Sequence, residues 1–219
     1  NTPINVGKRI KKDMIRMVKP KPLDQYIVIV GNWDFAYSNS ACYKALAVLG
    51  VSDMRMTCLD IFCQPTDIEV ALAYHFKRAK KIVKINGATI FYYDGSVSQE
   101  AVYEPSLVRA ARKYKSFCIP LPQKSTLDKY DKIDTVVVSA LVSGLLDFSE
   151  ELEHNPDWEE AKNQLLNFEK GGSYAVDFPD SLADAIRMIQ DYLTGGETED
   201  DDQDTVNAPI IGKRELGGY

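Results

Sequence analysis

The chain has 219 residues, 45% hydrophobic and 26% charged, with 13 Gly and 10 Pro scattered through it. That is enough for one domain with appendages, and it excludes wholesale disorder, collagen-like sequence and coiled coil. The net charge of −6 hides a polarity: seven basic residues against one acid between Gly7 and Pro22, and six acids without a base between Glu197 and Asp204.

The first segment, 1–22, reads as a basic arm whose Ile10, Met14, Ile15 and Val18 have the spacing of an amphipathic helix, with its lysines in water. Pro20 and Pro22 end it, since neither donates a backbone hydrogen bond. Tyr26 to Val30 is a short β-branched run closed by Gly31, the pattern of a strand buried on both faces. Ser40 then caps a predicted helix to about Val48, with Cys42, Ala45, Leu46 and Leu49 on one side and Gly50 as its stop. The unit recurs: a strand over Met54 to Phe62 and a helix over Asp67 to Lys81, then a strand over Ala88 to Tyr93 and a helix over Pro105 to Tyr114, then a strand over Phe117 to Leu121. Strands alternating with helices predict a Rossmann-like parallel α/β sheet flanked by helices over 23–133. Residues 134–196 read as a helical C-terminal annex containing helices over Trp158 to Phe168 and Ser181 to Leu193, followed by an acidic tail over 197–219. No apolar run reaches the roughly 20 residues that span a bilayer, and no secretory signal is expected. Four cysteines without CxxC spacing read as reduced thiols. A soluble protein of the cytoplasm or a virion interior is therefore expected.

In a doubly wound sheet, ligands sit beyond the carboxyl ends of the strands. Three loops fall there: Gly31 to Ser38 with Asn32, Trp33 and Tyr37; Cys63 to Asp67 with Thr66; and the stretch from Asp94 and Gly95 through Ser98 and Glu100 to Glu104. Val28-Ile-Val-Gly31-Asn-Trp-Asp-Phe35, Asp60-Ile-Phe-Cys-Gln-Pro-Thr-Asp67 and Ala88-Thr-Ile-Phe-Tyr-Tyr-Asp-Gly95, followed by Arg109-Ala-Ala-Arg and Phe117-Cys-Ile-Pro120, resemble the SLOG superfamily of Rossmann-like domains over about residues 26–121. The resemblance implies a crevice for a nucleotide-like ligand, bound by Gly31, Asn32, Trp33, Tyr37, Thr66, Asp67, Asp94, Gly95 and Ser98. Cys63-Gln64-Pro65 stands where the family has phosphate-cradling glycines, so binding of a nucleotide or nucleic acid without turnover, with no cofactor and no metal, is the expectation. A second reading makes the chain a structural subunit of a capsid or filament, self-associating through 1–22 and 197–219. A third makes it a nucleoside N-glycosidase or deoxyribosyltransferase acting through Glu104 or Glu100 with Asp94 as partner.

Overall fold

A computed structural model describes residues 8–35, 42–95, 97–124, 127–169 and 171–195, and of 97–102 only the backbone. Seven strands form one sheet: β1 (Met17–Val18), β2 (Val28–Asp34), β3 (Tyr43–Ser52), β4 (Arg55–Pro65), β5 (Thr89–Asp94), β6 (Leu121–Gln123) and β7 (Leu146–Ser149), in the order β1-β7-β4-β3-β2-β5-β6. Long helices α1 (Ile68–Ile85) and α2 (Val97–Tyr114) cover one face. The other is covered by α3 (Lys129–Lys132), a π-helical stretch Ile133–Val138, α4 (Ser139–Val142), α5 (Trp158–Leu166) and α6 (Asp177–Thr194).

The fold is mixed α/β, and its sheet departs from the expected parallel Rossmann-like arrangement at the centre. β2, β3 and β4 form an antiparallel meander, to which β5 and β6 add in parallel on one side and β7 and β1 on the other. The expected helix from Ser40 to Val48 is β3. From Lys44 to Ser52 every residue of that strand is buried. In such a run the apolar side chains satisfy helical and strand periods alike, so spacing could not separate them. The turn joining β3 to β4 is two residues long, Asp53 and Met54, both at positive φ (50° and 58°). Hairpin turns of this kind usually carry Asn-Gly or Asp-Gly, which the sequence lacks here.

The chain after residue 134 is part of the same sheet sandwich. It supplies β7, which pairs with β4, and α6, which lies across β2 and β3. Phe178, Leu182, Ala185, Ile186 and Ile189 of α6 are buried against Val28, Val30, Ala45 and Ala47 of the sheet. At about 25 cal/mol per Å² such a stripe supplies several kcal/mol of burial. Ile133–Val138 is π-helical. Residues 8–22 do not project as an arm. A 3-10 turn at Lys12–Met14 and the short β1 replace the expected helix, and Ile10 is buried in the core. Arg9 pairs with Asp134, while Arg16 and Arg55 converge on Asp147. Residues 1–7 and the acidic tail 196–219 lie outside the described residues. Among the described residues, no helix is long and apolar enough to cross a membrane.

Candidate functional site

Strand alternation decides which side chains meet α6. On β2, Val28 and Val30 enter the core beneath α6, whereas Ile29 and Trp33 enter the core beneath α1 and α2. Two-residue alternation therefore places Asn32 and Asp34 on the α6 side. On β5, Tyr93 packs with α1 and α2 and Tyr92 with α6, so Asp94 also belongs to the α6 side. β2 and β5 run parallel with Trp33 beside Tyr93, which sets Asp34 and Asp94 side by side at the carboxyl ends of adjacent strands.

Asp177, Asp180 and Asp184 face these strand ends from the first two turns of α6, spaced i, i+3 and i+7 along one side of the helix. Lys129 enters from α3, its Nζ 3.3 Å from Asp34 Oδ2, 3.4 Å from Asp177 Oδ1 and 3.4 Å from Asp180 Oδ2. Lys132, one turn on and buried, lies 2.7 Å from Asp180 Oδ1 and 2.6 Å from Asp184 Oδ2. Burial opposes the charge on Lys129, but Asp34, Asp180 and Asp177 outweigh it and hold the ammonium well above its ordinary range. Burial pushes the carboxyls of Asp177, Asp180 and Asp184 upward, with the lysines pulling the other way. Asp34 adds to the rise at Asp177 and Asp180, and Asp94 adds to it at Asp184.

Two buried polar side chains fix α6 in this position. Ser181 Oγ accepts from Ala47 N–H at 2.9 Å and donates to the Asn32 carbonyl at 2.7 Å, bridging a register pair of β2 and β3 beside Asp34. Gln164 Oε1 accepts from Phe178 N–H at 2.9 Å, satisfying a donor in the first turn of α6 that no N-cap side chain serves.

The residues nominated from sequence fall in several places. Asp94 belongs to the acidic group. Trp33 is fully buried, stacked on Phe35 at 4.9 Å and donating from Nε1 to His75 Nδ1 at 3.0 Å, so its ring packs the core and offers no face to a base. His75 Nδ1 must therefore accept, and Nε2, 2.7 Å from the Cys118 carbonyl, carries the proton. Burial pulls this neutral imidazole down from 6.5 to about 4. Gly31 and Gly95 serve packing: a Cβ would meet the Phe91 ring at 2.4 Å in the first case and Pro122 at 2.6 Å in the second. Asn32 is buried in the strand, Asp67 precedes α1 without capping it through its side chain, Thr66 stands before it, and Glu104 is exposed on α2. Tyr37 lies outside the described residues, and Ser98 and Glu100 are described only as helical backbone. Sequence reasoning missed Asp34, Lys129, Asp177 and Asp180 as a group. The available signal was an acid closing a β-branched strand and an Asp-x-x-Asp pair opening an amphipathic helix, which only the chain fold joins.

No family model matches the sequence, and no curated protein matches it. The structure is nevertheless similar to solved nucleases. A human cytomegalovirus terminase nuclease domain, soaked with Mn and inhibitor-bound, superposes with TM-score 0.63 at 14% identity over 84% of this chain and 96% of that one. A further structure of the human cytomegalovirus domain gives 0.60 at 14% identity over 86% and 96%. The large terminase of a thermophilic bacteriophage, in complex with ADP, gives 0.51 at 14% identity, with this chain spanning 84% of its own length and 44% of that protein. The fold is thus the RNase H-like one of viral terminase nuclease domains. This overturns the SLOG resemblance: the residues from Tyr43 to Ser52, expected to hold the helix after the first strand, form an antiparallel strand. The expectation of ligand binding without turnover rested on that resemblance and falls with it.

Proposed function

We propose that this chain is a metal-dependent nuclease of the terminase type, cleaving phosphodiester bonds of nucleic acid at the acidic group on β2, β5 and α6. The observation that carries the reading is the convergence of Asp34 and Asp94, at adjacent parallel strand ends, with Asp177 and Asp180 across from them on α6.

The donor set suits a hard divalent cation, because it is made of carboxylate oxygens without sulfur or imidazole. Among the described residues no three carboxylates are arranged to grip an ion as they stand. Instead the Lys129 ammonium lies 3.3–3.4 Å from three of them, a cation standing where the acids call for positive charge. Asp34, Asp94 and the Asp177/Asp180 pair are the residues that would hold Mg²⁺ or Mn²⁺. Such an ion supplies neutralisation of phosphate charge and a water of lowered pKa. The chain's own part is to hold the carboxylates rigidly. Lys129 screens their repulsion, Lys132 anchors Asp180 and Asp184, and Ser181 pins the helix to the sheet.

The test is cleavage of supercoiled plasmid by the full chain in millimolar Mn²⁺ or Mg²⁺. Nicking and linearisation that stop with EDTA are expected, with a loss of about 10²–10³-fold in Asp34→Asn, the scale of removing one electrostatic group from a catalytic site. Unchanged cleavage by Asp34→Asn, with its circular dichroism that of the parent chain, or no cleavage with either metal, overturns the reading.

A further inference from the structure

Several basic side chains in this molecule are answered by acids: Arg9, Arg16, Arg55, Arg78, Lys129 and Lys132 all sit in ion pairs. The outer surface of α1 and α2 differs. Lys77, Lys80, Lys81 and Lys84 on α1 are exposed, as are Arg109, Arg112 and Lys113 on α2 and Lys115 just beyond it. None of these eight is in an ion pair among the described residues. The two sets are contiguous. Phe76 in the middle of α1 stacks on Tyr114 at the end of α2, so the lysines that follow Phe76 continue from Lys113 and Lys115 at about 5 Å per helical turn.

Cations near helix C-termini complement the helix dipole, which accounts for part of this charge. It does not account for what adjoins it. Phe117 is fully exposed, at 101% of its reference area, and beside it Val108, Ala111, Ser116 and Ile119 line an apolar hollow of about 440 Å³ rimmed by Arg112 and Lys115. A large unpartnered aromatic ring over an apolar hollow, set at the end of a row of unpaired cations, is the pairing of features that holds single-stranded nucleic acid: phosphates lie along the charges and a base stacks on the ring.

We infer that the α1/α2 face, ending at Phe117, is a single-stranded nucleic-acid-binding surface separate from the acidic group. It lies on the opposite side of the sheet from α6. Its base-stacking element is Phe117, and its backbone track runs from Lys84 to Lys113 and Lys115.

The experiment is fluorescence anisotropy with labelled oligo(dT) of about 20 nucleotides, longer than one binding site, and with a duplex of equal length. The full chain is used in EDTA, so cleavage plays no part. Phe117→Ala is expected to weaken oligo(dT) binding roughly tenfold, the worth of one stacked base, while leaving the salt dependence unchanged. Lys113→Glu with Lys115→Glu is expected to flatten that salt dependence. Phe117 is wholly exposed, so its loss leaves the fold intact. The inference is overturned if oligo(dT) does not bind at low salt, or if Phe117→Ala binds it as the parent does. It is also overturned if the duplex binds equally well, or if polyglutamate does, which would reassign the surface to backbone-only contact or to an acidic protein. Asp34→Asn should bind oligo(dT) normally, so failure of this surface and failure of the proposed nuclease centre read out separately.

Discussion

The two faces of the sheet solve the problem of burying polar groups in opposite ways. Under α1 and α2, the core is aromatic and holds His75, kept neutral by burial, with both ring nitrogens used by Trp33 and the Cys118 carbonyl. Under α6, the strand ends carry carboxylates that keep their place through Lys129 and Lys132. The first face is built for stability. The second concentrates like charge, which costs stability and is characteristic of sites that do chemistry.

That contrast can be broken most sharply at Lys132. It is 4% exposed, and Lys132→Met takes from buried Asp180 and Asp184 their nearest counter-ion, leaving only Lys129 and Arg187 at 3.4 and 3.7 Å, a loss of about 3–5 kcal/mol measured by urea denaturation. Raising charge elsewhere on α6 should not reproduce it.

The opposite face responds to pH instead. His75 has a folded pKa of about 4 against 6.5 for the free side chain, so the unfolded chain binds the extra proton. Its contribution is complete above about pH 6.5 and is lost as the pH falls towards 4, a change of about 3 kcal/mol. His75→Gln should remove this slope between pH 6.5 and 4; an unaltered slope would place the titration elsewhere. The raised carboxyls of α6 have the reverse sign, because they take up protons in the folded state as the pH falls.

Ser181→Ala tests the bridge that ties the acidic helix to the sheet. It deprives the Ala47 N–H and the Asn32 carbonyl of a buried partner, at a cost of about 1–3 kcal/mol in chemical denaturation. The smallest effect belongs to the hairpin turn common to both faces. Met54 is exposed at 80% with φ of 58°, so Met54→Gly should stabilise the chain by about 1 kcal/mol, seen as a rise in Tm. A fall would mean that the Met54 side chain contributes contacts outweighing its backbone strain.

Much of the secondary structure was legible. The helices α1 and α5 and the strands β4 and β5 fall close to where periodicity puts them, because each has one buried stripe or a run bounded by turn residues, whereas α2 opens at Val97, eight residues before the expected start at Pro105. β3 was not legible, since a strand buried along almost its whole length has no polar alternation and its turn, Asp53-Met54, lacks the glycine that marks a hairpin. The sequence pattern opens α6 at Ser181, four residues after its start at Asp177, so Asp177 and Asp180 fall in an apparent loop. Gly31 marks the end of the β-branched run and puts Trp33 in a loop, whereas β2 runs on to Asp34.

The amino-acid order by itself determined the apolar runs, the charge polarity of the ends and the presence of an acid after the first strand. Those are local properties, set within a few residues by sterics, hydrogen bonding and hydrophobicity. Only the tertiary structure decided which carboxylates meet. Asp34, Asp94 and Asp177 are separated by 60 residues and then 83 along the chain, and they come together because a parallel strand pairs with the edge of an antiparallel meander and a helix from the far end crosses above that meander. Charge proximity at that range is a product of chain topology, and no local pattern encodes it.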